Sequence, residues 1–92
     1  MNKSDLIEHI SKKHSFAVKE TAKILQSFID TVSEELSNNN KVKITGFGTF
    51  YISKRKARQI VHPRDTSKYI QLDETYKPSF RPTSKFIKKI KN

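Results

Sequence analysis

The chain has 92 residues, 34% of them apolar, with no cysteine, two glycines and a formal charge of +10. That length gives one small domain burying a modest fraction of its surface, and without cysteine neither a disulfide nor a thiolate metal site can staple it, so a partner chain is the remaining source of buried area. No apolar run approaches the roughly 18 residues of a membrane span and no signal-peptide core is present, so a soluble, cytoplasmic protein is expected.

Residues 3–13 read as a first helix. Asn2 is a good N-cap, Asp5 places negative charge in the first turn, and Leu6, Ile7 and Ile10 form an apolar stripe. A longer helix follows over 18–38, with Thr21, Ile24, Leu25, Phe28, Val32 and Leu36 at three- and four-residue steps. Its start is poorly signed, Ala17 standing where a capping residue is expected, whereas Asn38-Asn39-Asn40 ends it plainly. The face carrying Phe28 and Val32 is wide for a helix with one short neighbour, which reads as partly intermolecular.

Val42 and Ile44 alternate with Lys41, Lys43 and Thr45 as a half-buried strand. Gly46-Phe47-Gly48-Thr49-Phe50 then holds both glycines of the chain, as a tight turn between the helical half and the strand half requires. Phe50 and Ile52 share one face of the next strand. From Ser53 to Gln59 the alternation has no apolar partner, so this stretch is expected to leave the body. Ile60 to Lys68 reads as a ribbon tip and its return, Pro63 belonging to an edge or turn. Tyr69–Leu72 regains strand character, Tyr76–Phe80 is a short edge strand containing Pro78, and Pro82-Thr83 opens a last helix running to about Lys91, with Phe86, Ile87 and Ile90 on one face. Phe47, Phe50 and Phe80 read as core.

The charge is unevenly spread. Residues 1–40 hold five Lys/Arg and six Asp/Glu, whereas residues 41–92 hold fourteen and three. An ordinary solvated face mixes both signs, so the asymmetry points to a polyanion, with nucleic acid favoured over an anionic membrane because the cations do not line one face of a long helix. Enzyme classes find no footing. His9, His14 and His62 lack metal-ligand spacing, and Gly46-x-Gly48 is not followed by a phosphate-loop Gly-Lys-Ser/Thr. No catalytic residue, metal, cofactor or small-molecule substrate is expected.

The whole chain resembles the HU/integration host factor family of bacterial architectural DNA-binding proteins. The resemblance rests on Met1-Asn2-Lys3 with Asp5-Leu6-Ile7, on Gly46-Phe47-Gly48-Thr49-Phe50, on Arg55, Arg58 and Pro63 at the spacing of the family's arm arginines and wedge proline, and on Phe80-Arg81-Pro82 before the last helix. It implies an α+β fold: a helical dimerisation base (1–40), an antiparallel sheet platform (41–52 and 70–80), a DNA-binding arm (53–69) and a C-terminal helix (82–91), intertwined as a homodimer or paired with a paralogue. It also implies a nucleoid-associated, histone-like protein that binds duplex DNA through the minor groove with little sequence specificity, and bends and compacts it. The alternatives are a sequence-preferring integration-host-factor-like subunit and, outside the family, a basic RNA-binding module.

Carried onto this sequence, the DNA-binding residues are Lys3, Lys54, Arg55, Lys56, Arg58, His62, Pro63, Arg64, Lys68, Arg81, Lys85 and Lys88, with Pro63 the intercalating wedge and Phe28, Val32, Phe47, Phe50 and Phe80 in the core and dimer contact. Pro63 as a plain turn residue, and Lys54–Arg58 as a solvated strand edge, are the bland alternatives. The tip departs from the family's Gly-Arg-Asn-Pro, reading Ile60-Val61-His62-Pro63, and Thr83-Ser84 replaces the usual Gly-Lys. Ile60 and Val61 are dimer contacts or an apolar supplement to the wedge, and His62 is either solvated or a phosphate contact.

Overall fold

A computed structural model describes residues 1–91. The first helix, α1 (Lys3–His14), begins where Asn2 and Asp5 satisfy each other: the Asp5 N–H donates to Asn2 Oδ1 at 2.9 Å and the Asn2 N–H to Asp5 Oδ2 at 3.1 Å. It ends at Ser15, whose φ of 57° turns the chain, and the Phe16 N–H closes back onto the Ser11 carbonyl at 3.0 Å. The second helix, α2 (Val18–Ser37), lacks a side-chain cap at Ala17, as its sequence suggests. In its first turn the Thr21 hydroxyl and N–H both donate to the Ala17 carbonyl, each at 3.0 Å. Asn39 takes the left-handed conformation after the helix, with φ 58°. Lys3 Nζ donates to Gln26 Oε1 and ties the start of α1 to α2.

Three strands, β1 (Val42–Ile44), β2 (Gly48–Arg55) and β5 (Thr75–Pro82), form an antiparallel sheet in the order β1-β2-β5, and β3 (Arg58–Val61) pairs with β4 (Tyr69–Leu72) as a separate ribbon. Gly46, at φ 81°, is the third residue of a turn closed by the Phe47 N–H on the Ile44 carbonyl at 3.0 Å, a position that requires positive φ. Gly48 answers a different need. A Cβ there would overlap the Phe80 ring and sit 2.6 Å from the Arg81 carbonyl oxygen, so its absence lets β5 close on β2.

The structure moves the limits of platform and arm. The β2–β5 ladder runs unbroken from Gly48 opposite Pro82 to Arg55 opposite Thr75, so Ser53–Arg55 still belong to the sheet, although the sequence shows no apolar partner there. Ile70–Leu72 pair within the arm's ribbon and not with the platform, and the last strand spans eight residues where five were expected. Backbone pairing holds these segments without an apolar face of their own. Pro82 ends β5 instead of opening the helix. Thr83 caps α3 (Ser84–Lys91), its hydroxyl accepting from the Phe86 N–H at 3.2 Å, while its N–H donates to the Phe47 carbonyl at 2.9 Å. One residue thus fixes the last helix to the glycine turn.

Phe47, Phe50 and Phe80 pack together with Phe86, with centroid separations of 4.6–6.4 Å, and Phe28 of α2 meets Phe50 edge-on at 6.5 Å. Even so, no apolar side chain among the described residues is fully buried. Phe16, Val18, Ile24, Phe28 and Ile29 are exposed, and Ile10, Phe16, Ala17, Thr21, Ile24, Leu25 and Phe28 line an open apolar cavity of about 620 Å³. The radius of gyration is 19.4 Å, against about 12 Å for a compact chain of this length. A single copy therefore lacks a closed core. If a second copy covers these faces, the thermal midpoint should rise with protein concentration, as mass action requires when folding and assembly are coupled. Melts followed by circular dichroism across a hundredfold concentration range check this; a constant midpoint with a monomer mass in solution would contradict it.

Candidate nucleic-acid interface

Alternation in the sheet separates two faces. Val42, Ile44, Phe50, Ile52 and Phe80 lie on the face turned toward α2 and the aromatic cluster. Lys43, Thr49 and Arg81 stand opposite one another in the ladder on the other face, with Tyr51 beside Ser79 and Ser53 beside Lys77. Lys41, Lys43, Thr49, Tyr51 and Arg81 line a shallow polar recess, where the Arg81 guanidinium sits 5.3 Å from the Tyr51 ring centre. Lys41, Lys43 and Tyr51 are absent from the residues carried over by family resemblance. The signal that finds them is the strict alternation of Lys41 and Lys43 with Val42 and Ile44, which turns both lysines away from the core.

Beyond Arg55 the ribbon loses two residues of pairing on each strand, Lys56-Ala57 and Asp73-Glu74, and then resumes with Arg58 opposite Leu72. The unpaired counts match, so no register is gained or lost and the arm continues the body's hairpin. At this break Lys54 lies 3.5 Å from Glu74, 5.8 Å from the Tyr76 ring centre, and on the opposite face from Arg55. The Tyr76 hydroxyl donates to Glu74 at 2.5 Å; that bond first, and Lys54 after it, hold the Glu74 carboxyl below its usual range. Lys54 is thus engaged within the chain. Among the described residues the only other ion pair is Lys12–Glu8, so Arg55, Lys56, Arg58, Arg64 and Lys68 have no carboxylate in reach.

The tip is a built loop. The His62 N–H donates to the Lys68 carbonyl at 2.9 Å, and His62 Nδ1 accepts from the N–H groups of Arg64 and Asp65 at 3.1 and 3.2 Å. Asp65 accepts from the Ser67 hydroxyl and N–H at 2.6 and 3.1 Å, which lowers its pKa in that order of effect. His62 is therefore half-buried and shapes the turn through Nδ1. Pro63 stands exposed at the far end of the arm with Arg64 beside it. Lys3, Arg81, Lys85 and Lys88 lie on the body: Lys3 starts α1, Arg81 is on the outer sheet face, and Lys85 and Lys88 are on α3, the Lys85 stem running beside Gly46. The arm cations and the body cations form two separate groups. Such an array, its cations far outnumbering Asp65, Asp73 and Glu74, suits a long polyanion better than a compact anion.

The sequence pattern of the family described as "Bacterial DNA-binding protein" matches residues 1–91. The chain is 36% identical over 91 residues to DNA-binding protein HU of Thermotoga maritima, covering 99% of this chain and all of that one. It is 39% identical over 83 residues to the integration host factor subunit alpha of Myxococcus xanthus, covering 90% of this chain and spanning 64% of that longer protein. Among solved structures, an HU–DNA cocrystal structure from Anabaena superposes with a TM-score of 0.83 at 31% identity, covering 98% of this chain and 97% of the other.

With short duplex DNA as the polyanion, neutralising roughly six to ten phosphates per two-armed particle gives a log affinity–log salt slope of about −5 to −9. Arg55→Ala or Arg58→Ala is expected to flatten that slope by about one unit per chain. Titrations by fluorescence anisotropy at four salt concentrations test this; a slope near zero would reduce the cationic half to a solubility device.

Proposed function

Because this chain belongs to the bacterial DNA-binding protein family of HU and integration host factor, we propose that it is an architectural protein that binds duplex DNA through the minor groove and bends it with little sequence specificity. The observation that carries this is the arm: a register-continuous ribbon reaching beyond the body, its cations unpaired, with Pro63 exposed at its end. In this reading residues 1–40 form the dimer base, and the open apolar face of α2, with Phe28 and Val32, meets a second copy. Arg55, Lys56, Arg58, Arg64 and Lys68 neutralise phosphates along the groove walls. Lys3, Arg81, Lys85 and Lys88, with Lys41 and Lys43, hold the flanking duplex against the body once it has bent. Pro63 is rigid and has no N–H to leave unpaired, so it can enter between base pairs; unstacking costs a few kcal/mol per step, which the additional phosphate contacts of the bent duplex offset.

A sequence-preferring subunit is the second reading, supported by the 39% identity to an integration host factor subunit alpha. Weak base-edge readout is the expectation here, because the minor groove distinguishes little beyond A·T from G·C.

Pro63→Ala tests the wedge because it removes the ring and leaves every charge in place. Affinity for intact duplex is expected to change little, since phosphate contacts supply most of it. Bending, followed by end-to-end energy transfer on a labelled duplex at saturation, is expected to fall, and a Val61→Ser, Pro63→Ala double change to lower it further. A double variant that bends DNA as far as the unaltered protein would make Pro63 a turn residue only.

A further inference from the structure

Proline has no N–H and fixes only its own φ, so where Pro63 stands depends on the residues beside it. His62, immediately before it, holds the loop from both sides. Its N–H donates to the Lys68 carbonyl at 2.9 Å, and its Nδ1 accepts from the Arg64 and Asp65 N–H groups at 3.1 and 3.2 Å. The imidazole thus spans Pro63 and fixes the two peptide groups that follow it. Asp65 carries the turn onward, accepting from the Ser67 N–H and hydroxyl, while the Lys68 N–H donates to the Asp65 carbonyl at 3.1 Å. His62 and Asp65 are half-buried, and Pro63, Arg64 and Thr66 are left exposed. A proline serving only as a turn residue does not need a side-chain acceptor on both peptides beyond it.

We propose that His62 is a positioning residue for the Pro63 wedge, and that the arm bends duplex DNA fully only while His62 Nδ1 carries no proton. This rests on the wedge reading given above. A neutral imidazole has one bare nitrogen, and here two N–H groups point at Nδ1, which leaves the proton on Nε2. In an imidazolium both nitrogens are donors. An Nδ1–H would face two other N–H groups, so the bonds holding Arg64 and Asp65 are lost together. Histidine is the side chain whose charge ordinarily changes between about pH 5 and 8. Because β3 and β4 pair only with each other, the charged groups facing the ring are the arm's own. They are the cations Arg64, Lys68 and, farther along the same ribbon face, Arg58, together with the Asp65 carboxylate. The Ser67 hydroxyl and N–H hold the Asp65 carboxyl below its usual range, and it makes no ion pair with the imidazole. Acid also adds one positive charge to each arm, which favours phosphate contact. Affinity and bending therefore part in acid: binding holds and the bend falls.

End-to-end energy transfer on a labelled duplex reads the bend at saturating protein and one salt concentration, at about pH 8 and about pH 5.5, either side of the ordinary histidine range. At the higher pH the unaltered protein is expected to bend the duplex, and His62→Ala to lose as much of the bend as Pro63→Ala does. At the lower pH the unaltered protein should show that same loss with no fall in affinity. His62→Asn is the rescue, because an asparagine side chain also accepts from backbone N–H groups just after it and does not titrate. It should bend DNA alike at both pH values. It also keeps His9 and His14, so a pH dependence that survives in it belongs to the helical base and overturns the proposal. His62→Ala bending fully, His62→Asn bending as poorly as His62→Ala, or an unaltered protein bending equally at both pH values overturns the positioning role alone. An unaltered protein that binds duplex without bending it at either pH overturns the wedge reading beneath it.

Discussion

The β2–β5 ladder is the constraint on which the rest of the structure depends. Eight consecutive pairs, from Gly48–Pro82 to Arg55–Thr75, set the inner and outer faces of the sheet, and the same register resumes in the arm after a matched break. Because a strand's side chains alternate, a slip of one residue would exchange the phenylalanines with the cations. Gly48 guards the register at its closed end, where no side chain fits between β2 and the Phe80 ring. At the other end Lys54, Glu74 and Tyr76 gather on one side of the break, tying the strands across the point where backbone pairing lapses.

The aromatic cluster and the open face of α2 follow from that arrangement. The inner sheet face offers Phe50 and Phe80 to Phe28, Phe47 and Phe86, yet one chain leaves this layer covered on one side only. Side chains cap the starts of α1 and α3 but not of α2, and the apolar surface that α1 and α2 present is in excess of what the small sheet covers. Burial against a second copy is the economical remedy for a chain without cysteine, and it would direct two arms from one body. The arms need no core of their own, because the Ile60–Ile70 side packs across the ribbon and the His62–Lys68 loop is closed by its own hydrogen bonds.

Much of this was legible in the residues. Asn2 with Asp5, the asparagine run after α2, the paired glycines and Pro63 each carry local stereochemistry that reads directly as a cap, a stop or a turn. The limits of the arm were hidden because Ser53–Arg55 and Thr75–Lys77 are held by backbone pairing, to which hydrophobic alternation is blind. The part His62 plays in the loop was hidden for a related reason: its ring accepts from two backbone groups that only the folded loop brings to it. Lys41 and Lys43 were visible as the outward half of an alternating strand, but the resemblance drew attention to the arm and away from them. Thr83, a departure from the family's usual residue, proved to be the N-cap that pins α3 to Phe47.

The central claim is that the arm, and not the helical base, is where the protein meets DNA. Amide hydrogen exchange on the free and duplex-saturated protein addresses it directly, because a two-stranded ribbon standing alone opens readily while packed helices do not. Exchange is expected to slow through β3, the His62–Lys68 loop and β4 when duplex is added, with the amides in the middle of α2 unchanged. Slowed exchange confined to α1 and α2, with the arm as open as before, would contradict the account.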